Sequence, residues 1–311
     1  MTEPADHAGA TAFRERIRPH RRWGRWGEDD QRGAANLIDQ QKVLRASGLV
    51  RTGEIVSMSR DFPTQPASNN PKPAQHFMNA ATEPDGQGSA TDFIGVSFHG
   101  RTCTHLDALS HVWDKDGAWN GRDPGSFVTY DGVTWGGVEQ FAGGLISRGV
   151  LFDVAAGRAE GFVTQDEPVT GDELRDLAAA DDLQPEPGDI LVVHSGREAW
   201  EQHMGTPWST PDSTGAMPRP GLAPSCLDYF HEVDCAMIVW DMMDARPNEF
   251  GVKHSVHAII PSQGVLLLDN AHLSPLAEKC RSGQRRDFMT VVAPLKIVGG
   301  TGSPVNPLAV F

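Results

Sequence analysis

Short apolar runs, separated by polar stretches rich in Gly and Pro, set the rhythm of this chain. They predict strands at 53–59, 92–99, 149–154, 189–194, 235–241, 264–269 and 288–298. Helical signals fall between them. Thr170-Gly-Asp-Glu173 is a capping box, followed by Leu174, Leu177 and Ala178 at helical spacing. Asp39 to Gly48 reads as a short helix with a glycine stop, and further helices are expected near 196–204, 224–232 and 254–259. The mixture predicts a layered α/β architecture. No linker or charge block divides the chain, so residues 13–311 are expected to form one domain, with 1–12 a disordered tail. Segments 62–90 and 205–224 read as long loops, a kind that usually serves function or an interface.

The densest chemistry is His99-Gly-Arg-Thr-Cys-Thr-His105-Leu-Asp107-Ala-Leu-Ser-His111. The run Asp92 to Phe98 predicts a strand leading into it, and Asp116 to Gly121 a turn-rich loop leading out. His105 and Asp107 are two apart, so on a strand they share a face. Nitrogen and oxygen ligands converging from one face suit a divalent metal. His111, four residues beyond Asp107, can stand beside such an ion without binding it and move a proton. Cys103 in the same cluster is a candidate nucleophile. Ser195 is not a nucleophile elbow, because Val193 occupies the position where that turn needs glycine.

This stretch resembles the cyclase family, which includes kynurenine formamidase and isatin hydrolase and carries the motif HxGTHxDxPxH. Thr104, His105, Asp107 and His111 match it. Arg101 stands at the family's first histidine, a metal ligand, Cys103 at its glycine and Leu109 at its proline. His99, two residues earlier, is placed to replace the missing ligand if the backbone shifts. Arg101 is alternatively a binding group for a substrate anion. Downstream, His257 and Asp269 have the spacing of the family's later histidine and glutamate ligands, with Asp in place of Glu. The segment from Trp23 to Asn36 resembles the opening of one branch of the family, and Ala293 to Asn306 its closing strand and loop. The resemblance implies the swivelling β/β/α fold and a homodimer or homotetramer. It implies a Zn or Mn site made from His99, His105, Asp107, His257 and Asp269. Trp23 and Trp26 would line the substrate pocket, with His76 on a loop covering it and His254 and His272 as supporting groups.

Charge narrows the partners. A net charge of −14 excludes the basic footprint of a nucleic-acid binder and any attraction to anionic membranes. No apolar run is long enough to span a bilayer and the amino terminus lacks a signal pattern, so a cytoplasmic protein with four free thiols is expected. The reading is a metal-dependent hydrolase of a small cyclic or aryl amide, lactone or related carbonyl compound, with His111 as general acid and base. Three others stand beside it: a ring-forming cyclase in a biosynthetic pathway, a non-haem iron oxygenase, and a metal-free small-molecule binder. The oxygenases that use a keto acid need an arginine soon after the last histidine, and none follows His257 before Arg281.

Overall fold

The computed structural model describes residues 5–311. Thirteen strands and seven α-helices follow one another in chain order. The first helix, α1 (Ala5–Ile17), overlaps the expected tail, whose residues 1–4 lie outside the described residues. Phe13 anchors that helix by packing on Phe250, with ring centroids 5.4 Å apart.

Nine strands make one mixed sheet. Its centre is four parallel strands: β7 (Leu145–Asp153), β8 (Ile190–His194), β9 (Met237–Trp240) and β10 (Leu266–Asp269). The last three are buried at every position. Their near-continuous apolar sequences are what parallel strands covered on both faces require. Beyond β7 lie β11 (Asp287–Val292), β13 (Leu308–Val310) and β1 (Ile55–Ser57), each antiparallel to its neighbour. Beyond β10 lie β4 (His105–Asp107) and β12 (Gly302–Pro304), also antiparallel.

Helices cover the sheet with local signals in place. The Asp39 side chain accepts from the Lys42 amide at the start of α2 (Gln40–Ser47). The predicted capping threonine, Thr170, does the same for the Glu173 amide at the start of α3 (Gly171–Ala180). Helices α4 (Arg197–Met204), α5 (Cys226–Val233) and α7 (Ser274–Gly283) complete the main cover. The helix expected at 254–259 starts later, as α6 (Ile259–Gln263). Asp244 explains the shift: one carboxylate oxygen accepts from the amides of Val256 and His257 and holds that segment in a turn.

Two expectations fail near 62–99. The segment read as loop contains β2 (Gln75–Thr82), which pairs with β3 (Gly88–Gly95) as a hairpin separate from the main sheet. Its turn is Pro84-Asp85-Gly86, with Gly86 at φ 88°. The strand expected at 92–99 therefore ends at Gly95, and 96–104 is irregular. All four cysteines are buried and free. Among the described residues no helix is long and apolar enough to cross a membrane. The two shortest remaining strands, β5 (Val128–Thr129) and β6 (Gly132–Val133), pair with each other.

Candidate metal centre

β4 holds His105 and Asp107 on one face, as their spacing predicts. Strand register supplies the next group, because Asp269 at the end of β10 lies directly opposite His105. On the other side of β4, Gly302 pairs with Asp107. A Cβ on Gly302 would come within 2.9 Å of the His99 ring, so the glycine leaves room for that imidazole.

His99 returns to the strand through a tightly held loop. Asn270, at φ 56°, donates from Nδ2 to the carbonyls of Gly100 (2.9 Å) and Cys103 (3.0 Å). The Thr104 hydroxyl donates to the Asn270 carbonyl at 2.7 Å. Arg197, buried under Trp208, donates to the Arg101 carbonyl (2.7 Å) and to Asn270 Oδ1 (2.9 Å). With 99–104 fixed in this way, His99 Nδ1 lies 3.0 Å from Asp107 Oδ1. Arg101, aligned with the family's first histidine, lines the cavity above instead.

Asp107 is the hub. His105 Nε2 is 3.3 Å from its Oδ1, and His111 Nε2 and His257 Nε2 are 3.8 and 4.0 Å from its Oδ2. His257 Nε2 also lies 3.3 Å from Asp269 Oδ2. Asp107 has 0 % exposure, and its carboxylate oxygens face only imidazoles, none of them in good hydrogen-bond alignment. A buried carboxylate without well-aligned donors is costly unless a cation offsets its charge. Two sets of donor atoms, His99/His105/Asp107 and Asp107/His257/Asp269, each fall within 4.8 Å of one another and share that carboxylate.

The second ring nitrogens point the same way. His105 Nδ1 lies 2.8 Å from the Cys103 carbonyl and must donate to it. His257 Nδ1 is bonded to the Asp244 carboxylate. With Nδ1 committed in both rings, Nε2 is the nitrogen left to face Asp107 and Asp269 and, once its proton has left, to bind an ion, the tautomer that metal-ligating histidines adopt. Asp244 and Trp240, whose indole N–H donates to Asp269, are supporting residues that sequence reasoning missed. Their signal was the pair of aspartates in Trp240-Asp-Met-Met-Asp244 where an apolar strand ends.

Electrostatics separate the histidines. Burial works against charge on His257, but Asp244 and Asp269 outweigh it and hold its pKa well above the ordinary value. At His105 burial is likewise outweighed, chiefly by Asp107, and the pKa rises. His111 moves the other way. Burial, reinforced by the charges of His99, His257 and His105, outweighs Asp107 and pushes it down to about 4. Its ring stacks on His99 with centroids 3.8 Å apart and planes at 3°. His111 is therefore neutral at neutral pH and free to take a proton, as a weak base.

Above the cluster is a cavity of about 340 Å³, bordered by His99, His105, His111, His257 and Asp269. Several expected residues lie elsewhere. Trp23 donates from its indole to the Pro261 carbonyl and packs beside Gly121, so α6 and not the cavity takes it. Trp26 packs on Trp119 and under Arg25. His76 sits on the exposed strand β2, 3.8 Å from Asp92, and does not line this cavity. His254 does line it, edge-on to His257, whereas His272 bonds through its amide to Met58. The Cys103 thiol is buried, which pushes its pKa up to about 11, so it is no thiolate nucleophile. A further group, Asp244/His254/His257, shares His257 with the centre, and a fourth, His194/Glu198/Asp241, is part of the frame: Asp241 accepts from the amides of Ser195, Gly196 and Arg197 at the start of α4 and from that of Met242.

The sequence profile of the Cyclase family matches residues 54–245, well over half of the chain. No curated protein matches it. A solved structure described as a novel cyclase is 28 % identical, with a TM-score of 0.79, covering 94 % of this chain and 99 % of its own. An isatin hydrolase solved with the product analogue thioisatinate is 20 % identical, with a TM-score of 0.57 over 87 % of this chain and 98 % of that one. Isatin hydrolase A from Ralstonia solanacearum gives 18 % and 0.52, over 85 % and 93 %. The mixed sheet is thus the swivelling β/β/α fold that the motif implies, and with the profile spanning the motif strand β4, this chain belongs to the cyclase family.

Proposed function

We propose that this protein is a metal-dependent hydrolase of a small cyclic or aryl amide, lactone or related carbonyl compound. One observation carries the reading: the fully buried carboxylate of Asp107, ringed by four imidazoles beneath a cavity open to a small molecule. The residues present fit a divalent ion, zinc or manganese. His99, His105 and Asp107 would hold it, with His257 and Asp269 beside them. Such an ion, when bound, polarises a carbonyl and makes water acidic enough to ionise near neutral pH.

The chain's own residues do the rest. His105 and His257 are locked as Nε2 ligands by the Cys103 carbonyl and by Asp244. His111, kept neutral, takes the proton from the attacking water and returns it to the leaving nitrogen or oxygen. The isatin hydrolases that share the fold make hydrolysis the first reaction class to test.

Chelation followed by restoration tests this reading. Chelated protein is expected to hydrolyse none of a panel of aryl formamides, lactams and lactones. Zinc or manganese is expected to restore turnover on at least one of them. Restoration should strengthen as pH rises from about 6 to 8. In the metal-free protein His105 and His257 have raised pKa values, and those protons must leave before Nε2 can bind the ion. Turnover that ignores both chelator and metal would reject the proposal.

We further propose that a second copy of the chain covers the β2–β3 hairpin. Phe77, Met78, Phe93 and Ile94 on it are each more than half exposed. Ile94 also lines an open apolar cavity with Leu295 and Ile297, themselves partly exposed. Phe77 and Phe93 lie on one face of the hairpin and Met78 and Ile94 on the other, and a two-stranded hairpin with exposed apolar side chains gains its stability from what packs against it. Light scattering at micromolar concentration should give a dimer or tetramer, and Ile94→Asp should shift the mass toward the monomer. A wild-type monomer would contradict this.

A further inference from the structure

The cavity above the cluster is walled by cations. Arg101, Arg219 and Arg246 line it, with Lys72 and Lys253. The chain carries a net charge of −14, so carboxylates are plentiful, and arginines elsewhere find them: Arg148 pairs with Asp189, Arg158 with Glu173 and Arg175 with Glu232. At this cavity only Arg219 is paired, 3.5 Å from Asp244. Among the described residues, Arg101, Arg246, Lys72 and Lys253 have no carboxylate within 4.0 Å.

Arg101 is the most telling. Its backbone is pinned by Arg197, which holds the half-buried side chain at the cavity wall. Among the described residues its guanidinium has no hydrogen-bond acceptor, and it faces the cavity. Arg219 and Arg246 line the same cavity. Three guanidinium groups share one nearby carboxylate, Asp244, which bonds to Arg219, while Arg246 donates to the Lys253 carbonyl and Arg101 faces the cavity, so their mutual repulsion is offset only in part. A planar anion placed among them would offset the rest and match the fork of Arg101.

We propose that this cavity binds a carboxylate group of its ligand, held by Arg101 with Arg246 and apart from the carbonyl presented to the histidines. The hydrolysed substrate is then an acid as well as an amide or lactone. That last step rests on the hydrolase reading, whereas anion binding itself does not.

Calorimetry on the zinc-loaded protein tests it with benzoate and its neutral isostere benzamide. A charge-assisted bond of this kind is worth about 1.5–3 kcal/mol, so benzoate should bind at least about tenfold tighter. In Arg101→Gln the preference should fall to roughly threefold or less at equal zinc content, and Arg101→Lys should retain part of it. Any preference left in Arg101→Gln belongs to the ion and not to the arginine. Equal binding of the two probes, no benzoate binding at millimolar concentration, or an unchanged preference in Arg101→Gln would overturn the proposal. Each result is read without turnover, so it is separate from success or failure of the hydrolase reading.

Discussion

Asp107→Asn is expected to purify with little or no divalent metal, and its turnover should fall by more than about a hundredfold. Loss of an outer partner of a ligand already costs 10–100-fold in metal affinity or activity, and Asp107 touches the ion itself. The substitution keeps the shape and removes only the charge. Both donor sets contain Asp107, so neither survives intact. The variant should still fold, because the Asp107 oxygens make no hydrogen bond that the fold depends on. Elemental analysis and a thermal scan check this together: wild type should gain stability on zinc addition, and Asp107→Asn should gain almost none. A variant that kept its metal would remove Asp107 from the centre.

The second large effect belongs to His111. His111→Ala should retain the metal and lose turnover by about 10²–10⁴-fold, the range for a positioned acid-base group. Location makes the distinction. His111 stacks on the face of His99 and reaches Asp107 only at 3.8 Å, whereas His105 Nε2 lies in the donor set with its other nitrogen committed. His111 is also the histidine of the cluster driven strongly toward its neutral form, which a proton acceptor needs. Steady-state rates beside metal content separate the outcomes. Metal loss in His111→Ala would make it a ligand. An unchanged rate would remove it from catalysis.

The sequence showed the centre of the sheet because buried parallel strands spell themselves out as apolar runs, and 189–194, 235–241 and 264–269 match β8, β9 and β10 closely. The His-x-Asp pair was equally legible, since alternation on a strand fixes which side chains share a face. The hairpin strand β2 was hidden by the Pro- and Asn-rich segment before it, although Pro84-Asp85-Gly86 marked its turn. Asp244 was hidden for another reason: its partner His257 is thirteen residues away, and the contact exists only through the turn that Asp244 itself creates. Trp23 and Trp26 lie on α6 and against Trp119 within the chain, contacts that no local pattern in the sequence shows. The cavity cations left without a carboxylate were invisible as a group. Lys72, Arg101, Arg246 and Lys253 come from separate parts of the chain, and a missing partner is a property of three-dimensional surroundings.

The central claim is that a divalent ion sits on Asp107. Anomalous diffraction from crystals of zinc-loaded protein at the zinc edge tests it most directly. The account predicts a peak about 2.0–2.2 Å from an Asp107 oxygen and from the Nε2 of His105. No peak in the cluster, or a peak that leaves Asp107 without a bond to the ion, would contradict it.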